Sequence, residues 1–174
     1  PISPYGASKL SCEGYISAYS ASYGFDAYIL RFGNVYGPYS YHKKGVINKF
    51  INKIITGQEL EIYGSLDTTR DYIHASDICQ GINLCIDKLV KGNHTGIDKF
   101  HLANGEEVTL RKIIEKLMSI TQTKITYQIK PQRSGEVTRN SSDYLKAKDL
   151  LGFNPKVSLD NGLSSLYAWI LNNP

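Results

Sequence analysis

The chain has 174 residues, 41% apolar and 21% charged, with 13 tyrosines and a net charge of +4 from 20 basic and 16 acidic side chains. This is enough chain for a domain with its own core. No apolar run approaches the roughly 20 residues that span a bilayer, the start is not that of a signal peptide, and the mild, dispersed charge excludes a nucleic-acid footprint while suiting an anionic small ligand such as a phosphate ester.

In chain order, residues 5–23 read as a helix entered at Pro4 and stopped at Gly24, with Tyr5, Lys9, Cys12, Ile16, Tyr19 and Tyr23 recurring at steps of three and four on one face. Residues 25–32, "FDAYILRF", read as a short buried strand rich in β-formers. Residues 33–45 read as a long loop by their Gly, Pro and Asn content. Residues 46–57 form an amphipathic helix ending at Gly57, with Val46, Phe50, Ile51 and Ile54 on a shared face. "LEIYG" is a short strand and turn. "TRDYIHASDICQGINLCIDKLV" is an extended segment followed by a helix from about Ser76 to Val90. "GIDKFHLAN" is a strand. "TLRKIIEKLMSITQ" is a helix with Thr109 as N-cap, "KITYQIKP" alternates like a strand, "SSDYLKAKDLLGF" is a helix ending near Gly152, and "SLDNGLSSLYAWILNN" is the closing helix. Helices and strands alternate, so the fold class is α/β. The three cysteines, Cys12, Cys79 and Cys85, lie in apolar helical patterns, and buried thiols in a reducing cytoplasm are expected. The histidines at 42, 74, 94 and 101 show no metal spacing, so no metal site is expected.

Tyr5 and Lys9 stand one helical turn apart on one face. A phenol is a poor base at neutral pH, but a nearby ammonium favours the phenolate. Such a tyrosine can take a proton from an alcohol while a cofactor takes the hydride. By itself the spacing also describes a packed tyrosine beside a solvated lysine.

Four ordered motifs add to it: "SPYGASK", "LRFGNVYGP", "GQELEIYGSLDTTRDYIHASD", and "PQRSGE" followed by "YLKAKDLLGFNPKVSLDNGL". Together they resemble the extended short-chain dehydrogenase/reductase family, in particular its NAD-dependent nucleotide-sugar epimerases and dehydratases, with UDP-glucose 4-epimerase-like enzymes the nearest subgroup. The resemblance covers essentially the whole chain. It implies the C-terminal part of a Rossmann-type enzyme plus its smaller α/β substrate-binding domain. Residues 1–45 would be the last helix and strand of the Rossmann domain, and 46–174 mainly the substrate domain, with interleaved segments. No G-x-G-x-x-G or G-x-x-G-x-x-G turn occurs, although the family holds its dinucleotide on one. The chain therefore reads as the C-terminal half of a longer enzyme and is expected not to epimerise alone.

The resemblance also implies site roles. Tyr5 matches the catalytic tyrosine and Lys9 the partner that lowers its pKa and binds the nicotinamide ribose. Phe32 and Val35 would border the nicotinamide of NAD. Asn34 would donate to the diphosphate of the sugar nucleotide or to an adjoining group. Tyr63 would lie against the base, whose edge backbone groups of Glu61 could read. Arg70 and Arg133 would clamp the diphosphate, and Glu136 would hold a ribose hydroxyl at a position where the family more often has Asp. Tyr72 is a lesser site candidate, and Asp77 reads as structural, through the helix dipole. The implied activity is 4-epimerisation of a UDP-hexose or UDP-N-acetylhexosamine through a 4-keto sugar. A 4,6-dehydratase or decarboxylase of the same family is the alternative, and a non-catalytic nucleotide-sugar-binding module is the rival of another class. A cytoplasmic homodimer binding neither nucleic acid nor membrane is expected, with the open edge of strand 25–32 covered by another chain or copy.

Overall fold

A computed structural model describes residues 1–40, 43–92, 94–133 and 135–173. Helix α1 (Pro4–Tyr23) begins where Ser3, in extended conformation, accepts the Gly6 N–H on its hydroxyl at 3.1 Å, and ends where Gly24 turns left-handed at φ 70°. β1 (Ala27–Phe32) follows, then β2 (Asn34–Tyr36), α2 (Val46–Ile55), β3 (Leu60–Tyr63), β4 (Thr69–Arg70) and β5 (Tyr72–His74). α3 (Ala75–Val90), β6 (Ile97–Leu102), β7 (Val108–Thr109), α4 (Leu110–Thr121), β8 (Tyr127–Lys130), α5 (Leu145–Leu151) and α6 (Leu159–Asn172) complete the order. Thr109 caps α4, as expected, and Ser158 caps α6 in the same way. Among the described residues, no helix is long and apolar enough to cross a membrane.

The strands pair as β1–β6, β2–β5 and β3–β8, all parallel, and β4–β7, antiparallel. Two apolar cores draw on interleaved segments. One joins Ile73, Ile78 and Cys85 to Phe100, Leu102, Ala147, Leu151 and Phe153, with Tyr28 and Leu30 packed on it. The other joins the apolar face of α2 to Leu60 and Ile62 of β3, to Ile113 and Leu117 of α4 and to Leu163 and Leu166 of α6. Close approaches lock both. A Cβ on Gly81 would lie 2.6 Å from Leu102 Cδ1, and one on Gly162 would overlap the Tyr36 hydroxyl.

Five expectations change. The tyrosine face of α1 is not packed: Tyr5, Tyr19 and Tyr23 are exposed, and the helix buries only Glu13 and Ser20, seven residues apart on an adjoining face that meets β1. β1 is not a buried strand, since only Ile29 is buried. It pairs with β6 along one edge, and no strand covers the other edge among the described residues. Cys12 and Cys79 are exposed and only Cys85 is buried, because the helical faces they occupy have no packed neighbour. The helix expected over 141–153 is shorter at its start, where the Ser142 N–H donates to the Asp71 carboxylate at 3.1 Å and draws residues 141–144 out of helical geometry. Within the expected loop 33–45, residues 34–36 pair with β5; residues 41 and 42 lie outside the described residues.

Candidate active site

The first turns of α1 carry Tyr5 and Lys9 to the end of β1, with the Lys9 Nζ 5.5 Å from the Tyr5 ring centroid. Both line a cleft of about 630 Å³ together with Glu13, Arg31, Phe32 and Val35. Phe32 ends β1 and Val35 sits in β2, and each is nearly half exposed, 48% and 44%. The four residues expected to meet a nicotinamide cofactor thus share one cleft, whose walls offer apolar surface beside a phenol and an ammonium.

Val35 also borders a narrower cleft of about 110 Å³, shared with Asn34, Lys43, Val46 and Tyr72. The Asn34 backbone N–H donates to the Asp71 carbonyl at 2.6 Å, and its Nδ2 donates to the same oxygen at 3.3 Å, leaving one amide hydrogen for a ligand. The Tyr72 side chain is buried and its hydroxyl has no partner among the described residues. Burial pushes its pKa up to about 12, against a smaller opposing pull from Arg70, so it stands as a protonated donor at neutral pH.

Val46 in turn borders a third cleft, of about 400 Å³, lined by Lys44, Lys49, Lys53, Glu61, Tyr63, Arg133 and Glu136 among others. The Arg133 guanidinium carbon lies 3.7 Å from the Tyr63 ring centroid, a cation–π stack that covers one face of the ring. Glu61 is 3.5 Å from the Lys53 ammonium. Glu136 faces the Arg70 guanidinium at 3.8 Å with one oxygen, while its other carboxylate oxygen is buried with no partner among the described residues. Arg70 is four-fifths buried and donates to its neighbour Thr69's carbonyl at 2.8 Å. The structure brings Glu61, Tyr63, Arg133 and Glu136 into one cleft. It places Arg70 behind Glu136 rather than on the cleft wall, so the two arginines do not form the expected open clamp. Ser134, within the same motif, lies outside the described residues.

A family model described as GDP-mannose 4,6 dehydratase matches residues 1–166. The chain belongs to that family of nucleotide-sugar epimerases and dehydratases. It is 34% identical to a UDP-glucose 4-epimerase from Thermotoga maritima solved with UDP-glucose, at a TM-score of 0.88, with 99% of this chain and 54% of that one covered. It is 32% identical to a dTDP-glucose 4,6-dehydratase from Streptomyces venezuelae solved with NAD, again at a TM-score of 0.88, over 99% of this chain and 52% of that one. A dTDP-glucose 4,6-dehydratase from Actinoplanes is 30% identical over 176 residues, covering 99% of this chain and 52% of the relative. The chain therefore spans about half the length of the relatives it matches. Its α/β architecture is that of these Rossmann-type enzymes.

Motif reading alone passes over two carboxylates of this epimerase/dehydratase chain. Asp71 is fully buried and accepts the N–H groups of Asn104, Gly105 and Ser142 at 2.9–3.1 Å. Its signal was an acid placed directly before the apolar run of β5. Glu13 is buried against Arg31, and no local pattern in the sequence marked it. Asp77 is structural as expected, though chiefly by accepting the N–H groups of Lys156 and Val157, at 3.0 and 3.1 Å, beyond its position in the first turn of α3. His74 caps α3 through Nδ1, and burial lowers its pKa. No group of metal-ligating side chains gathers among the described residues; His42 lies outside them.

Proposed function

We propose that the intact protein is an NAD-dependent nucleotide-sugar 4-epimerase. The carrying observation is the run of three clefts: Val35 is common to the first and second, and Val46 to the second and third. A ligand with a base at one end and a sugar at the other fits such a run. The nucleoside lies at Tyr63, Arg133 and Glu136, where the orphaned Glu136 oxygen accepts a ribose hydroxyl. The diphosphate passes Asn34 and the Tyr72 hydroxyl, with the Arg133 guanidinium at its nucleoside end, and the hexose reaches Tyr5. Phe32 and Val35 supply the apolar wall, and Lys9 the ribose-binding ammonium, that a nicotinamide riboside needs.

When bound, NAD supplies the hydride acceptor and donor at the sugar C4. Tyr5 takes the C4 hydroxyl proton as the 4-keto sugar forms and returns it when the hydroxyl is restored on the opposite face. The Lys9 ammonium favours negative charge on the Tyr5 oxygen. Residues 1–45 belong to the cofactor domain and 46–174 mainly to the substrate domain in this reading, and the intact protein is a cytoplasmic homodimer.

The second reading, a 4,6-dehydratase, shares the C4 oxidation and is favoured by the family model's description and by the Actinoplanes relative. Incubating the intact protein with NAD and UDP-glucose, and then with dTDP-glucose, separates the two by NMR of the product. An epimerase yields the C4 epimer with its C6 hydroxyl retained, and a dehydratase yields a 4-keto-6-deoxy sugar. Neither product from any nucleotide hexose would contradict both.

A further inference from the structure

Helix α1 carries Tyr5 and Lys9, yet hardly any apolar burial fixes it. Its buried residues are Glu13 and Ser20, both polar. Ser20 makes a local tie, donating to the Phe25 carbonyl at 2.6 Å where the chain turns into β1. Glu13 makes the long-range one. It follows Lys9 by one helical turn and Tyr5 by two, which turns it from their exposed line toward the face that meets β1. Its carboxylate accepts two hydrogen bonds from Arg31 of β1, Nε to Oε1 and Nη2 to Oε2, each 2.6 Å, and its Oε2 lies 3.3 Å from the Lys99 ammonium of β6. Arg31 pairs in register with His101 and Lys99 with Ile29, so the one carboxylate reaches both strands of the sheet. The Glu13 side chain is 10% exposed and its two cations 45% each, which puts the anion inside and the cations at the rim. Glu13 and Arg31 line the same cleft as Tyr5 and Lys9. A bidentate guanidinium–carboxylate pair fixes orientation as well as distance, which a smooth apolar contact does not.

We propose that Glu13 is a positioning residue: its carboxylate clamps α1 to β1 and β6 and so sets where the Tyr5 hydroxyl and the Lys9 ammonium stand in the cleft. The proposal rests on the reading of Tyr5 and Lys9 as the proton-transfer pair. Glu13 sits below that pair and acts through it. The residues assigned to the nucleoside lie on β3 and the 131–136 segment, which the clamp does not touch, so loosening it impairs turnover and spares nucleotide binding. A misplacement of about 1 Å at a reacting group is enough to cost on the order of a hundredfold in rate.

The test is a double-mutant cycle in the intact protein, with Glu13→Gln and Tyr5→Phe alone and together, reading kcat, KM for the nucleotide sugar, and UDP affinity by calorimetry. Glu13→Gln keeps the side chain's shape and turns one acceptor into a donor facing the guanidinium. The expected result is a fall in kcat of at least about tenfold, with KM and UDP affinity changed less than about twofold, and no further fall when Glu13→Gln is added to Tyr5→Phe. Where Glu13→Gln does not fold, Arg31→Lys, which keeps the charge and loses the fork, is read in the same way. An unchanged kcat, a loss carried by KM, or an equal fall in both Tyr5 backgrounds would overturn the proposal. Should the unmodified protein turn over no nucleotide sugar, the functional reading fails separately, and the clamp is still decided by amide hydrogen exchange. Faster exchange along α1 with α6 unchanged supports it, and unchanged exchange in α1 refutes it.

Discussion

The two ends of the cleft run are built differently. The α2/β3/α4/α6 region closes an apolar core in which Ile51, Leu60, Ile113, Leu117, Leu163 and Leu166 are fully buried, and its cleft is cut into the rim of that core. The α1/β1 region has an exposed tyrosine face, a strand with one open edge, and a helix fastened by an ion pair and a serine hydrogen bond. Apolar burial is non-directional and holds a nucleoside pocket open whatever its exact register. Charged hydrogen bonds are directional, which suits the part that must aim a phenol at one carbon–oxygen bond. Asp71 joins the regions. Its carboxylate holds the turns at 104–105 and residue 142, and its carbonyl holds Asn34 at the start of β2.

The strongest way to break the contrast is at that joint. Asp71→Ala leaves three part-buried N–H groups without the buried carboxylate they share and is expected to cost about 4 kcal/mol, with both regions unfolding in one urea transition. Two separate transitions would show that the regions fold independently. A smaller effect sharpens the contrast within it. Leu166→Ala opens the closed core and is expected to cost about 3 kcal/mol, whereas Tyr19→Ala on the exposed face of α1 is expected to cost no more than about 0.5 kcal/mol; thermal and urea unfolding read both. Comparable losses would mean that α1 is packed by its tyrosines after all.

The most local effect is one of pH. Arg31 and Lys99 hold the Glu13 carboxyl down to a pKa of about 2 from its ordinary 4.5, against an opposing push from desolvation. A carboxyl depressed in the folded state contributes stability in full above its unfolded pKa and loses it as pH falls through the folded one. Protection of α1 amides, taken relative to α6 at each pH, is therefore expected to be flat from pH 7 to about 5 and to fall between about 4.5 and 2. Loss of α1 protection already at pH 6 would point to a different anchor.

Much of the fold was legible because caps and apolar periods are local. Gly24, Thr109 and Gly152 mark helix ends where they were read, and the apolar face of α2 is the one that packs. β2 and β7 were not legible, being two or three residues long and defined only by their partners, whereas β4 and β5 were read as a single extended segment. The stripe on α1 misled because helical spacing shows which residues share a face and says nothing of whether a neighbour covers it. In the site, the ordered motifs marked the residues that share the first and third clefts. Arg133 over Tyr63, Arg70 behind Glu136, and the ties of Glu13 and Asp71 were hidden, because those two carboxylates meet partners 18 to 86 residues away and no local pattern encodes such distances.

The central claim is that the clefts form one track, with the nucleoside at Arg133 and Tyr63 and the reacting sugar carbon at Tyr5. Calorimetric titration of UDP into the intact protein and its Arg133→Ala and Tyr5→Phe variants tests this most directly. The account predicts that Arg133→Ala weakens UDP binding about tenfold or more, since a charge-assisted contact and its stack are lost, while Tyr5→Phe leaves UDP binding unchanged. Weakening by Tyr5→Phe with binding intact in Arg133→Ala would place the nucleoside at the wrong end and contradict the account.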